Sequence, residues 1–141
     1  MRKRKERKKL SRTSDQRKAL LKSLFTGLFS KKQVTTTLAK AKFLKPQAEK
    51  LITHVIDASN DPIKKISKIR IIREYVCQKA CDELFKSAQF CKNRKGGYLR
   101  IIKLPKRSSD FSEMAKVEWV DEVLVKKTEA KKAEKVKKSK K

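Results

Sequence analysis

Val34-Thr35-Thr36-Thr37-Leu38-Ala39-Lys40-Ala41-Lys42 joins two kinds of backbone with no linker between them. Val34 to Thr37 is a β-branched run, stiff at χ1 and suited to a pleated strand. Beyond it, Ala41, Leu44, Ala48, Leu51, Ile52, Val55 and Ile56 recur at the spacing of one helical face. Thr37 stands at the switch, where its hydroxyl makes a suitable N-cap. Pro46 falls inside the stripe. It removes one backbone hydrogen bond and crowds the preceding turn, so a kink is expected there.

Working outward, Leu20, Leu21, Leu24, Phe25 and Leu28 mark a helix before the strand. It starts at Thr13 or Ser14, with Thr13 and Gln16 spaced as a capping box. Gly27 weakens its end, and Lys31-Lys32 marks a turn. On the other side, Asn60-Asp61-Pro62 breaks the second helix, and Pro62 suits the first position of a new one. Ile63, Ile66, Ile69, Ile72, Val76, Ala80 and Leu84 then continue a helical period to about Ala88, as one long helix or as two that break near Arg73. Gly96-Gly97 is the strongest turn in the chain. Tyr98 to Lys103 reads as a strand that Pro105 stops. After a polar loop, Met114 to Val120 sets Ala115, Val117 and Trp119 against Lys116 and Glu118, apolar in and polar out. The order predicts a two-layer α+β domain, with helices covering one face of a small three-stranded sheet. The expected boundaries are a basic arm over 1–13, a globular domain over 14–124 and a lysine-rich tail over 125–141.

Charge dominates the composition. The 141 residues carry 41 lysines and arginines against 15 acids, a net charge of +26. Residues 1–18 hold ten cations and two acids, and residues 126–141 hold nine lysines and two glutamates. A folded body with a cationic segment at each end fits a dense polyanion, because neutralised phosphates release their counterions. No apolar run approaches the roughly 18 residues of a membrane span. No apolar stretch follows the basic start, which argues against a secretory signal. Cys77, Cys81 and Cys91 are an odd count, which argues for a reducing compartment and against a disulfide framework. With one histidine, the chain is short of zinc ligands, so the cysteines read as small core residues and no metal is expected. His54 reads as a helix-flank residue. There is no phosphate loop, no paired catalytic acids and no nucleophile with a base, so neither an enzyme nor a cofactor is expected.

Several segments together carry a resemblance. They are Arg2, Arg4 and Lys5; Leu10-x-Arg12, Arg17 and Ala19; Thr36-Thr37-Leu38-Ala39-Lys40-Ala41-Lys42; Leu44-Lys45-Pro46; and Glu49-Lys50-Leu51-Ile52-Thr53. Further along come Glu83-Leu84-Phe85, Arg94-x-Gly96-Gly97-Tyr98-x-Arg100-Ile101, and Met114-Ala115 ahead of Val117-Glu118. In this order they resemble the family of the seventeenth protein of the bacterial large ribosomal subunit, across nearly all of residues 1–120. The resemblance implies the order α-β-α-α-α-β-β and a non-enzymatic, cytoplasmic binder of large-subunit ribosomal RNA among neighbouring ribosomal proteins. The chain departs from the family's usual histidine at Lys3, glycine at Arg7 and histidine at Gln16.

The candidate RNA contacts follow from this charge and this resemblance. In the arm and first helix they are Arg2, Lys3, Arg4, Lys5, Arg7, Lys8, Lys9, Arg12, Arg17 and Lys18. A guanidinium grips phosphate through two bonds and stacks on bases, so the arginine-rich arm is expected to read a defined RNA shape. The lysine-only tail is expected to add affinity. Ordering twelve arm residues costs on the order of 12–24 kcal/mol, and eight cations return about as much, so the arm is expected to order only in an RNA crevice. Lys40, Lys42 and Lys45 sit near the start of the second helix. Arg94, Lys95, Gly96 and Gly97 form a basic turn where backbone can approach a sugar-phosphate. Tyr98 is either a stacking residue or a core residue, Arg100 adds a cation to its strand, and Arg70 and Arg73 are either contacts or a solvated face. The alternative function is a DNA-binding architectural protein, which would need a dimer interface and a groove wedge that the sequence does not display.

Overall fold

Thr37 holds extended backbone (φ −68°, ψ 149°), and helical backbone begins at the next residue. The computed structural model describes residues 9–91 and 94–120. Their elements run α1 (Ser14–Lys31), β1 (Gln33–Thr37), α2 (Leu38–Asn60), α3 (Pro62–Tyr75), α4 (Gln78–Phe90), β2 (Leu99–Leu104) and β3 (Met114–Trp119). This is the expected α+β order. The last strand in sequence is the middle strand in space: β3 pairs antiparallel with both β1 and β2.

Val117 lies opposite Val34 on one side and Ile101 on the other. Because paired residues point to the same face, Val34, Thr36, Leu99, Ile101, Ala115, Val117 and Trp119 form one surface against the helices. The stripe expected for α2 is buried there, except that Ile56 is half-buried at its edge. Trp119 is fully buried, with its ring 6.2 Å from that of Phe29, which stacks on Phe25 at 5.8 Å. α2 runs unbroken through Pro46, and Pro62 occupies the first position of α3.

α1 runs through Gly27 and ends at the turn expected from Lys31-Lys32, with left-handed backbone at Lys32 (φ 63°). Three local expectations change. The long helical period after Pro62 is two helices, and the break falls at Val76 and Cys77 rather than at Arg73. Extended Val76 drops its own side chain into the core, 2% exposed, and re-aims the chain. Cys77 therefore stands at the N-cap of α4. Ile63 and Ile66, placed in the stripe by their spacing, are 93% and 64% exposed; in α3 it is Ile72 that reaches the core. Glu118, expected to face water, is 4% exposed. It lies on the outer sheet face, covered by two cationic side chains described below.

Candidate nucleic-acid interface

The arm enters the fold through a fixed root. Leu10 and Ser11 both have left-handed backbone (φ 53° and 50°), and the Arg12 N–H donates to the Lys9 carbonyl at 3.1 Å. Thr13 then starts α1, its N–H donating to Gln16 Oε1 at 3.2 Å. Arg17 reaches back from the first turn of α1, and its Nη1 donates to the Arg12 carbonyl at 2.6 Å. Part of Arg17's fork is thus committed to holding the arm's exit. Lys9, Arg12 and Lys18 are exposed. Arg2, Lys3, Arg4, Lys5, Arg7, Lys8 and the tail over 125–141 lie outside the described residues.

The root sits beside the start of α2. An open hollow of about 660 Å³ is lined by Leu10, Thr37, Leu38, Ala39, Lys42 and the Ser112-Glu113 end of the β2–β3 loop. The Leu38 N–H donates to the Glu113 carbonyl at 2.9 Å, which ties the loop to the helix end. No acid occupies the first turn of α2. Lys40 is half-buried and Lys42 exposed, and neither makes a salt bridge among the described residues. Cations at a helix N-terminus oppose its dipole. Lys45, one turn on, lies 3.9 Å from Glu49.

The basic turn has a different anchor. Arg94, Lys95, Gly96 and Gly97 are all exposed, and Gly97 takes the left-handed backbone (φ 69°) that turns the chain into β2. Tyr98 is 3% exposed and packs in the core, while its hydroxyl donates to the Arg94 carbonyl at 3.3 Å. Of the two readings of Tyr98, the core residue is the one its burial matches; the phenol holds the turn.

Arg100 is turned inward electrostatically. Its Nη2 and Nε lie 2.5 and 2.7 Å from Glu118 Oε1, and Lys116 Nζ lies 2.9 Å from Oε2. Burial pushes the Glu118 carboxyl up, but the hydrogen bonds and charges of Lys116 and Arg100 outweigh it and hold the group below its ordinary value. Arg107 is likewise occupied, gripping Asp110 in a fork at 2.9 and 2.6 Å. Such pairing is what sequence counting misses: Lys9, Arg12, Lys18, Lys40 and Lys42 form no ion pair with an acid among the described residues, whereas Lys45, Arg100 and Arg107 do. Among the described residues no cluster of metal-ligating side chains forms, and no helix is long and apolar enough to cross a membrane.

A family model described as ribosomal protein L17 matches residues 20–120, from α1 to the end of the sheet. The chain belongs to the ribosomal protein L17 family. It is 45% identical over 115 residues to the large ribosomal subunit protein bL17 of Pelagibacter ubique, covering 81% of this chain and 76% of that one. It is 42% identical over 122 residues to the bL17 protein of Salinibacter ruber, covering 86% of this chain but 59% of that longer relative. To the bL17 protein of Methylacidiphilum infernorum it is 39% identical over 136 residues, covering 95% of this chain and the whole of the relative.

Proposed function

We propose that this chain is a non-enzymatic structural constituent of the large subunit of the cytoplasmic ribosome. It binds large-subunit ribosomal RNA by neutralising phosphates, with the arm over 1–13 inserted into the RNA, and packs beside other large-subunit proteins. Family membership supports the class of function. The observation that carries the mode of binding is the root of the arm beside a helix whose first turn holds no acid and carries Lys40 and Lys42, with Glu113 of the β2–β3 loop as the one acid lining the hollow there among the described residues. An isolated protein gains nothing from that arrangement, whereas phosphates arriving there meet helix N–H groups and cations together. The basic turn at Arg94–Gly97 and the lysines of 125–141 extend the same field.

The test is titration of the full chain with large-subunit ribosomal RNA fragments across a range of salt. A slope of about −0.7 to −0.9 per phosphate contacted is expected, with several phosphates engaged. Equal affinity for any duplex DNA of the same length would overturn the reading in favour of a DNA-architectural role. Absence of the tagged protein from sedimented large subunits would overturn it outright.

A further inference from the structure

A second concavity lies away from the arm, where α1, α2 and α3 converge. Its volume is about 260 Å³, below the roughly 300–1,000 Å³ of sites for drug-sized ligands. Leu21, Leu51 and Tyr75 supply apolar walls, while Gln47, Lys50 and His54 bring polar groups to the same cleft. We propose that this cleft receives a single unstacked nucleobase of ribosomal RNA. The proposal rests on the RNA-binding reading above and adds a contact to a base where that reading supplies contacts to phosphates.

Size and chemistry both point this way. Single-stranded RNA is read by splaying out a base, stacking its face on aromatic or apolar groups and bonding its edge. Tyr75 is half-buried, packed against the core and lining the cleft. Gln47 offers a donor and an acceptor at once. His54 is more defined: Lys68 Nζ lies 3.1 Å from its Nδ1. An ammonium can only donate, so Nδ1 accepts and the ring proton sits on Nε2. Burial and then the charge of Lys68 both push this imidazole toward its neutral form, against a smaller opposing pull from Asp57. A neutral ring with a free Nε2–H donates to the N7, O6 or O2 acceptors of base edges. Lys50 is exposed at the mouth, where a base inserted into the cleft carries its phosphate. No acid lines the cleft, and the neighbouring Asp57 lies 3.6 Å from Lys68. An apolar side chain from another protein is the competing occupant, but it would leave the hydrogen-bonding groups of Gln47 and His54 without a use.

The experiment compares the wild-type full chain with Gln47→Ala/His54→Ala and with Lys50→Ala, each titrated with large-subunit ribosomal RNA at several salt concentrations. Matched thermal melts check the fold. The double variant is expected to bind about 5- to 30-fold more weakly with an unchanged salt slope, because a base contact releases no counterions. Lys50→Ala is expected to lower the slope by about 0.7–0.9. Ultraviolet crosslinking of the wild-type complex is expected to leave a nucleotide on the peptide containing Tyr75. Wild-type RNA affinity in the double variant, with no crosslink at Tyr75, overturns the base-binding cleft and leaves the RNA-binding function standing. A wild-type chain that does not bind the RNA at all overturns both.

Discussion

Arg100 and Glu118 face each other across β2 and β3 with 2.5 Å between guanidinium and carboxylate, and the carboxylate is almost entirely shut from water. Lys116 closes on the other oxygen. Removing one partner of a buried charge leaves the other paying for desolvation. Arg100→Ala is therefore expected to destabilise the fold by about 1–3 kcal/mol, toward the lower end because Arg100 itself is partly open to solvent. The pH dependence has a definite sign. Glu118 is held below its ordinary value of 4.5, so its contribution is full above that pH and fades as pH falls through the lower folded value. In Arg100→Ala the folded value rises, and the loss on acidification begins at a higher pH. Urea midpoints measured from pH 7 down to pH 3 check both effects.

Cys77 is expected to be the one fast-reacting thiol of the three. It is half-buried at the cap of α4, and the Ala80 N–H and the Thr26 hydroxyl lower its pKa. Cys81 is buried and its thiol is pushed up, mainly by that burial, and Cys91 is buried as well. Alkylation with iodoacetamide followed by peptide mass spectrometry should label Cys77 first and the other two only on unfolding.

Tyr98→Phe keeps the buried ring and deletes the hydroxyl that holds the Arg94 carbonyl. A stability loss of about 0.5–1.5 kcal/mol is expected. Hydrogen exchange should quicken at Lys95–Gly97 while the amides of β2 stay protected. Unchanged exchange in the turn would show that the phenol does not hold it.

Lys40→Ala/Lys42→Ala removes two cations from the acid-free start of α2. Stability is expected to hold or to rise by a few tenths of a kcal/mol, since the helix dipole no longer faces like charge. The salt slope of binding to large-subunit RNA is expected to drop by about 1.4–1.8. Thermal melts and the same titration decide both. Weakened RNA binding with the slope intact would mean that the lysines act through something other than phosphates.

The backbone plan was legible because each element carries its own signal. Thr37, Pro62 and Gly97 mark switches in local geometry, and alternation around Val117 fixes which side of β3 is buried. The break between α3 and α4 was displaced because its cause is tertiary. Val76 keeps the helical period while its backbone is extended, so the pattern of side chains passes through the break unaltered. The same pattern overstated α3, where Ile63 and Ile66 sit on rhythm but outside the core. For the interface, sequence supplied the cations without their bookkeeping. Nothing in the composition distinguishes Lys42, which pairs with no acid among the described residues, from Arg100, which pairs with an acid 18 residues away in sequence that the sheet sets directly opposite it. His54 reads in sequence as a helix-flank residue and Gln47 carries no signal, because only the convergence of three helices makes them neighbours of Tyr75.

The tie between Arg17 and the Arg12 carbonyl also sets a limit on distance. With Arg12 pinned and tied in turn to the Lys9 carbonyl, the backbone of Arg2, seven residues before Lys9, can lie no farther than roughly 25 Å from Lys9, the contour length of fully stretched backbone. Arg2, Arg4 and Arg7 are thus tethered within that reach of the arm's root. On the proposed RNA-binding reading, a leash that short turns these three arginines into a ruler: they can join only RNA strands that pass close to the folded body.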